Sequence, residues 1–396
     1  MKFFWLTIFS LFLKAGVLLA DAPLLSSKSS VSLLTCGPGE ALYEAFGHSA
    51  IRIQDPVQGL DVVFNYGVFD FNQENFYMNF AKGNMLYCLG LSQTSDFLYA
   101  YRNYGRAVRE QVLNLDSAER MAVFRYLDIN LLPENKNYLY NYFRNNCSTK
   151  IPEMLDSALK GRIIWEHPVI SGKASFRSMI YDYTEFQEWG RLGIDLGLGA
   201  VIDQRIEGKD LNFLPYELEK SFSRAKIKRA MTEFPLVLEN RILYEPPVFF
   251  ASSNYFLSPA FLFTMLLMLA ASSWYYSAKS PLLFRALRTL AFFGAGLLGL
   301  TELCIWLFTN HTDAAWNLNL LWACPLFIPL GAISFFRESW GTRFFRMLKI
   351  WLPLVLAFWF FLPQTLNSSL IPLVAALLVL SFDPKFTAGT TGTQPS

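Results

Sequence analysis

Residues 144–150 read RNNCSTK, and residues 46–53 read FGHSAIRI. Cys147 stands where a polar, turn-prone run gives way to Ile151, Met154, Leu155, Ala158 and Leu159, an apolar set at helical spacing. That pattern predicts a helix from Ser148 to about Lys160, with the cysteine at or just before its N-terminus. Pro152 removes one backbone donor there, which is tolerable only close to the helix start. Unpaired N–H groups and the positive end of the helix dipole lower a cysteine's pKa, so the position favours a thiolate. His48 opens a run in which Ser49, Ile51 and Ile53 face one way and Ala50 and Arg52 the other, which predicts a strand. A rigid strand is a good carrier for a general base, so the two segments together hold a nucleophile and base pair.

Working outward, the chain of 396 residues is long enough for more than one domain, and 53% hydrophobic content with 17% charged residues is too apolar for a purely soluble protein. The net charge of +2 is nearly neutral, and no Lys/Arg cluster carries interleaved aromatics, so no nucleic-acid partner is expected. Residues 1–22 combine Lys2, a short apolar core interrupted by Lys14, and an Ala20-Asp21-Ala22 end. They read as an export signal, either cleaved or kept as an anchor.

Residues 31–90 are strand-rich, with alternating runs at 31–34, 48–53, 62–66 and 85–89 separated by Gly and Pro turns. A helix begins after Asp116, with Glu119 as its capping-box partner, and Pro133 closes the region. An amphipathic helix is expected over 214–228. The last third differs in kind. Apolar runs at about 257–276, 289–308, 316–335, 349–362 and 367–382 predict five membrane spans. Lys279, Arg285 and Arg288 lie between the first two, and Arg337, Arg343, Arg346 and Lys349 between the third and fourth, while the loops at 310–315 and 364–368 carry no Lys or Arg. The positive-inside rule then places residues 22–255 on the outer face and the C-terminus inside. The expected fold class is α+β outside the membrane, followed by an all-α membrane domain. The expected segments are 1–22 (signal or anchor), 23–250 (thiol domain), 251–385 (membrane domain) and 386–396 (cytoplasmic tail).

Three histidines compete for the role of base. His167 precedes Pro168 in a loop and reads as structural. His311 lies in the outer loop Asn310-His311-Thr312-Asp313, within reach of a site at the membrane surface. His48 has the strand and Cys147. A third group to orient the imidazole is Asn65 on the next strand, whose alternative role is a turn-capping amide before Gly67. The oxyanion would meet the Cys147 backbone N–H and a second donor that local pattern does not identify. Of five cysteines, Cys36 and Cys88 either pair in a disulfide or stay buried and reduced, and Cys147 is left over. Glu302, within the second span, is either functional or hydrogen-bonded between helices. His48, Cys36 and Cys147 have none of the paired spacings of a zinc site, so neither metal nor cofactor is expected.

The order of a histidine on a strand, a polar residue on the next strand and Asn-Cys at a helix start resembles the circularly permuted papain-like thiol enzymes, the NlpC/P60-like group that includes lecithin:retinol acyltransferase. The set Leu33-Leu34-Thr35-Cys36-Gly37-Pro38-Gly39, Phe46-Gly47-His48-Ser49-Ala50-Ile51-Arg52, Phe64-Asn65-Tyr66-Gly67, Asn146-Cys147-Ser148-Thr149 and Phe213-Leu214-Pro215 resembles the periplasmic domain of the Lnb lipoprotein N-acyltransferase family. Residues 310–322 extend that resemblance into the membrane part. It implies transfer of an acyl chain from a phospholipid, through a Cys147 thioester, to the N-terminal amine of a diacylglyceryl-cysteine lipoprotein. It also implies a multi-pass protein of the bacterial inner membrane with its catalytic domain in the periplasm, and gathers Arg52, Tyr66, Asn146 and His311 as supporting or substrate-binding positions, to which the ionisable Glu302 is added for its place within a span. The competing readings are an envelope hydrolase using the same pair with water as acceptor, either a phospholipase or a peptidoglycan amidase, and a non-catalytic membrane scaffold.

Overall fold

The computed structural model of the chain describes residues 24–69, 74–167, 174–247, 255–336 and 338–384. The expected export signal at 1–22 and the tail at 386–396 lie outside them. The first half is built on strands β1 (Ser30–Cys36), β2 (His48–Asp55), β3 (Leu60–Val68), β4 (Leu86–Gln93), β5 (Val108–Leu113), β6 (Asn137–Leu139), β7 (Ile163–Ile164), β8 (Lys226–Arg229), β9 (Thr232–Pro235) and β10 (Val237–Tyr244). Between them run helices α1 (Phe76–Lys82), α2 (Thr94–Asn103), α3 (Ser117–Asn130), α4 (Cys147–Ala158), α5 (Phe176–Tyr181), α6 (Glu188–Gly197) and α7 (Pro215–Arg224). Seven strands form one antiparallel sheet in the order β10-β5-β1-β2-β3-β4-β6, and β7-β8-β9 form a small second one.

Alternation along the strands sorts side chains onto the two faces. Leu33, Ile51, Ile53, Phe64 and Tyr66 join Val123, Leu127, Ile151, Leu155, Leu218 and Phe222 of α3, α4 and α7 in the main core. Leu34, Cys36, Ala50, Val63 and Val108 meet Phe97 of α2 on the opposite face. Helix α3 starts as expected, with Asp116 as N-cap and Glu119 closing the capping box. The chain differs after α7. The helix stops at Arg224, and Ile227, fully buried, pairs with Ile163 in the small sheet. Pairing in the folded chain overrides the local helical period there.

Helices α8 (Pro259–Tyr275), α9 (Pro281–Phe308), α10 (Phe327–Phe336), α11 (Glu338–Ala357) and α12 (Ile371–Ser381) make up the last third. Their apolar faces share one core, including Phe284, Phe292, Trp322, Phe345, Leu352 and Leu377. Among the described residues, by length and composition, only α9 is long and apolar enough to cross a bilayer by itself. Two expected spans are corrected. Residues 316–326 are not helical apart from a short turn at Leu318–Leu321, and of the basic residues expected in loops Arg343, Arg346 and Lys349 lie in α11 and Arg285 and Arg288 in α9. The physical reason for the first is polar. Asn317 accepts from the Asn319 amide and donates to the Leu196 carbonyl, and Asn319 donates to the Asp195 carbonyl, so this segment spends its hydrogen bonds on α6.

That exchange belongs to a buried network joining the two halves. Arg177 sits between Asp195 (2.6 Å) and Asp203 (3.0 Å), Asn367 donates to Asp195 at 2.9 Å, and Gln364 donates to the Leu198 carbonyl at 3.1 Å. Buried charges are tolerated when paired and fully hydrogen-bonded. These bonds fix the height of the α+β half over the helices.

Candidate active site

Asn146 determines where α4 begins. Its side-chain oxygen accepts from Ser148 N (2.8 Å) and Thr149 N (2.9 Å), and Thr149 Oγ1 accepts in return from Asn146 N (2.8 Å). Its amide nitrogen donates to the Tyr142 and Phe213 carbonyls at 2.7 and 2.8 Å. Cys147 is thereby the first helical residue, with its own N–H among the unpaired donors of the first turn. Pro152 lies at the sixth position of α4 rather than in its first turn, and the helix continues through it because Ile151, Met154 and Leu155 are packed into the core.

The sheet delivers the partners. His48 is the first residue of β2, and its Nε2 lies 3.2 Å from Asn65 Oδ1 on β3, while Asn65 Nδ2 donates to Ser92 Oγ of β4 at 3.3 Å. Two residues on, Gly67 has φ +90°, and a Cβ there would stand 3.4 Å from the Cys147 Cβ, so bare backbone faces the thiol. Ser148 Oγ is 3.9 Å from Cys147 Sγ and 3.0 Å from Ser49 Oγ.

The electrostatics separate the cysteines. Burial alone pushes the Cys147 thiol up, but the charged His48 ring, its hydrogen bond, the Ser49 N–H and the Ser148 hydroxyl outweigh it and bring the thiol down to about 7. Burial pushes the His48 imidazole down, and the Cys147 charge and hydrogen bond with the Asn65 oxygen outweigh it and hold the ring above its ordinary value. Cys36, paired with His48 across β1 and β2, is fully buried, and burial drives its thiol up to about 12. The Tyr138 hydroxyl is buried against the Gly67 backbone, 4.0 Å from where a Gly67 Cβ would be, and no group among the described residues accepts its proton. Burial and then the Cys147 charge raise its pKa, so it stays a protonated donor.

Other expected positions lie elsewhere. Cys36 and Cys88 form no disulfide. They are on β1 and β4, three strand spacings apart or about 14 Å, well beyond the reach of a bridge. Arg52 is held by Asp61 (2.7 Å) and Glu110 (3.0 Å), about 13 Å along β2 from His48. The Tyr66 hydroxyl donates to Asn130 Oδ1 at 2.6 Å inside the main core. His311 Nε2 meets the Phe80 carbonyl at the end of α1. Glu302 is buried on α9, and neither carboxyl oxygen has a hydrogen-bond partner among the described residues.

Asp313 was not legible in the sequence. Buried beside His311 in the outer loop, it accepts from Asn141 Nδ2 (2.7 Å) and Arg144 Nη1 (2.5 Å). Asn141 Oδ1 in turn accepts from Phe143 N and Arg144 N, in the turn that leads into Cys147. A carboxylate from the membrane half thus clasps the loop bearing the thiol. Asp313→Ala is expected to lower kcat by about 10- to 100-fold with little change in KM, and Asp313→Asn by less, because a small displacement of the reacting group is costly. Steady-state rates in proteoliposomes check this, and undiminished kcat in Asp313→Ala would mean that the clasp does not position the loop.

A layer of this kind, carrying an acidified thiol and bonded to a bundle of apolar helices, can do thiol chemistry at a membrane surface. Family models match both halves: residues 23–177 are matched by the Lnb N-terminal periplasmic domain, and residues 251–384 by the Lnb transmembrane domain. The chain belongs to the Lnb lipoprotein N-acyltransferase family. No curated protein and no solved structure matches it. It is an acyltransferase of lipoprotein maturation that works on phospholipid donors and lipoprotein acceptors, a multi-pass protein of the inner membrane with its catalytic domain in the periplasm.

Proposed function

We propose that Cys147 is the nucleophile, His48 the general base and acid, and Asn65 the residue that orients the imidazole, within a thiol unit over residues 23–250 carried by a membrane unit over residues 251–385. The observation that carries this reading is the thiol brought to about 7 beside a histidine held above its ordinary value. With Nε2 committed to Asn65, Nδ1 is the ring nitrogen left for the thiol.

The thiolate attacks the ester carbonyl of a phospholipid, and the tetrahedral oxyanion is met by the Cys147 N–H and the Tyr138 hydroxyl. The C–O bond breaks, His48 protonates the departing lysophospholipid alkoxide, and a thioester remains. The lipoprotein's free amine then attacks that thioester, His48 takes its proton, and the C–S bond breaks to release an amide and the thiolate. The two half-reactions make a ping-pong cycle.

The acyl-enzyme is expected before any acceptor is present. Purified protein incubated with phospholipid alone should gain one acyl mass on the peptide carrying Asn146 and Cys147, removable by hydroxylamine. Later addition of a diacylated lipopeptide with a free amine should move that chain into an amide. No adduct on Cys147 would overturn the thiol mechanism, and an adduct that water discharges as fast as the lipopeptide does would favour hydrolysis.

A further inference from the structure

Helix α1 is unusual in burying none of its seven side chains. Tyr77, Met78 and Phe80 are 85%, 55% and 55% exposed. Contiguous exposed apolar residues mark a surface that something covers. What covers this one follows from where α1 is tied down. The Asn310 amide donates to the Lys82 carbonyl at 2.8 Å, His311 Nε2 lies 3.0 Å from the Phe80 carbonyl, and Asn310 Nδ2 donates to Asn84 Oδ1 at 2.7 Å. Gly83 permits this approach, since a Cβ there would stand 2.9 Å from His311 N. Asn310 and His311 come just after Thr309, the C-cap of α9, a helix about 42 Å long that spans the bilayer. The exposed face of α1 therefore lies at the outer membrane–water boundary, where aromatic residues and short amphipathic helices partition favourably.

From α1 a row of rings runs inward. Phe76 stacks on Phe69 (6.4 Å), Phe69 meets Tyr87 (5.4 Å), and Tyr87 stacks on Tyr140 (4.0 Å). Tyr140 stands immediately before the Asn141–Asn145 bridge that leads into Cys147. We propose that α1 is an interfacial lip that takes the acyl chain of a donor phospholipid from the outer leaflet and passes it along Phe69, Tyr87 and Tyr140 to Cys147. The inference rests on the thiol reading above for its endpoint and on the tie to α9 for its placement.

The test uses the full chain in proteoliposomes and reads acylation of Cys147 from two donors: long-chain phospholipid in the vesicle, and a monodisperse short-chain phospholipid in solution. Combining Tyr77→Ser, Met78→Ser and Phe80→Ser, all at exposed positions, should slow acylation by vesicle lipid at least about tenfold and leave the soluble donor unchanged. Equal rates with vesicle lipid would overturn the lip. Equal losses with both donors would instead give α1 a role in supporting the site, and a loss confined to transfer onto lipopeptide would make the face an acceptor surface. Placement is read independently of catalysis by photocrosslinking. Tyr77→benzoylphenylalanine should capture phospholipid, and Tyr99→benzoylphenylalanine, at an exposed position on α2, should not. Absence of a lipid adduct at position 77 overturns the proposal even if Cys147 chemistry holds, whereas lipid capture without any acylation of Cys147 overturns the thiol reading and the route to it.

Discussion

Cys147→Ser and His48→Ala are each expected to reduce turnover by at least about a thousandfold while leaving the protein folded and membrane-inserted, because in the proposed mechanism nucleophile and base act as a unit. His48 at the start of β2 and Cys147 at the start of α4 are only half-buried, and although Cys147 packs against the main core neither belongs to its fully buried set. Loss of activity therefore separates from loss of structure. The pH profile carries the same argument with a sign. Below about 7 the Cys147 thiol takes up a proton and acylation falls with it. At higher pH the rate is lost as His48 gives up the proton that the leaving alkoxide needs. The Asn65 oxygen is one of the groups holding His48 above its ordinary value, so Asn65→Ala should move the upper limb to lower pH. The two limbs report the pair rather than either residue alone. Wild-type rates in Cys147→Ser, or limbs that do not move in Asn65→Ala, would contradict this assignment.

Cys36 shows why position decides between two thiols of identical chemistry. It stands across from His48, nearer in the sheet register than any other cysteine, yet burial holds it protonated at about 12. A helix start supplies N–H groups and dipole to Cys147, and the interior of β1 supplies nothing comparable. Part of that contrast is legible in the sequence, because a Gly-Pro-Gly turn follows Cys36 whereas Cys147 stands at a helix start, and the structure adds the Asn146 cap.

Signals that depend on neighbours in sequence were legible. Alternation placed β1 to β4, and the Asp116 to Glu119 spacing placed the start of α3. Contacts between distant segments were not. Nothing local in the run NHTD marks Asp313 as the acceptor for Asn141 and Arg144, and Tyr138 looks like any other member of an aromatic-rich stretch until its hydroxyl is found beside Gly67. Hydropathy placed a third span over 316–335, because Leu318, Leu320, Leu321 and Trp322 outweigh two asparagines in a sliding average. In the folded chain those asparagines decide the backbone, by bonding to α6. The basic residues of α11 misled for a similar reason: charge reads as loop in a hydropathy profile, while a helix can carry it at the membrane boundary.

Asn146→Ala is expected to cost on the order of 3–7 kcal/mol of stability and most of the activity. The side chain is 3% exposed and makes four hydrogen bonds. Truncation removes an N-cap, about 1 kcal/mol, and leaves the buried Tyr142 and Phe213 carbonyls without their donor, roughly 1–3 kcal/mol each. Against a typical domain stability of about 5–15 kcal/mol this is a large fraction, and it should lower Tm by about 10 °C or more. The activity follows from the same bonds, since they tie the 141–146 loop to the start of α4 and so aim both the Cys147 thiol and its N–H. Asn146→Ser separates the two contributions. A serine oxygen can cap the helix and cannot reach both carbonyls, so it should recover only about 1 kcal/mol and a small part of the rate. Thermal unfolding and turnover measured on the same preparations decide the matter. A serine variant as stable and active as wild type would show that the cap alone holds the nucleophile, with the Tyr142 and Phe213 bonds contributing nothing.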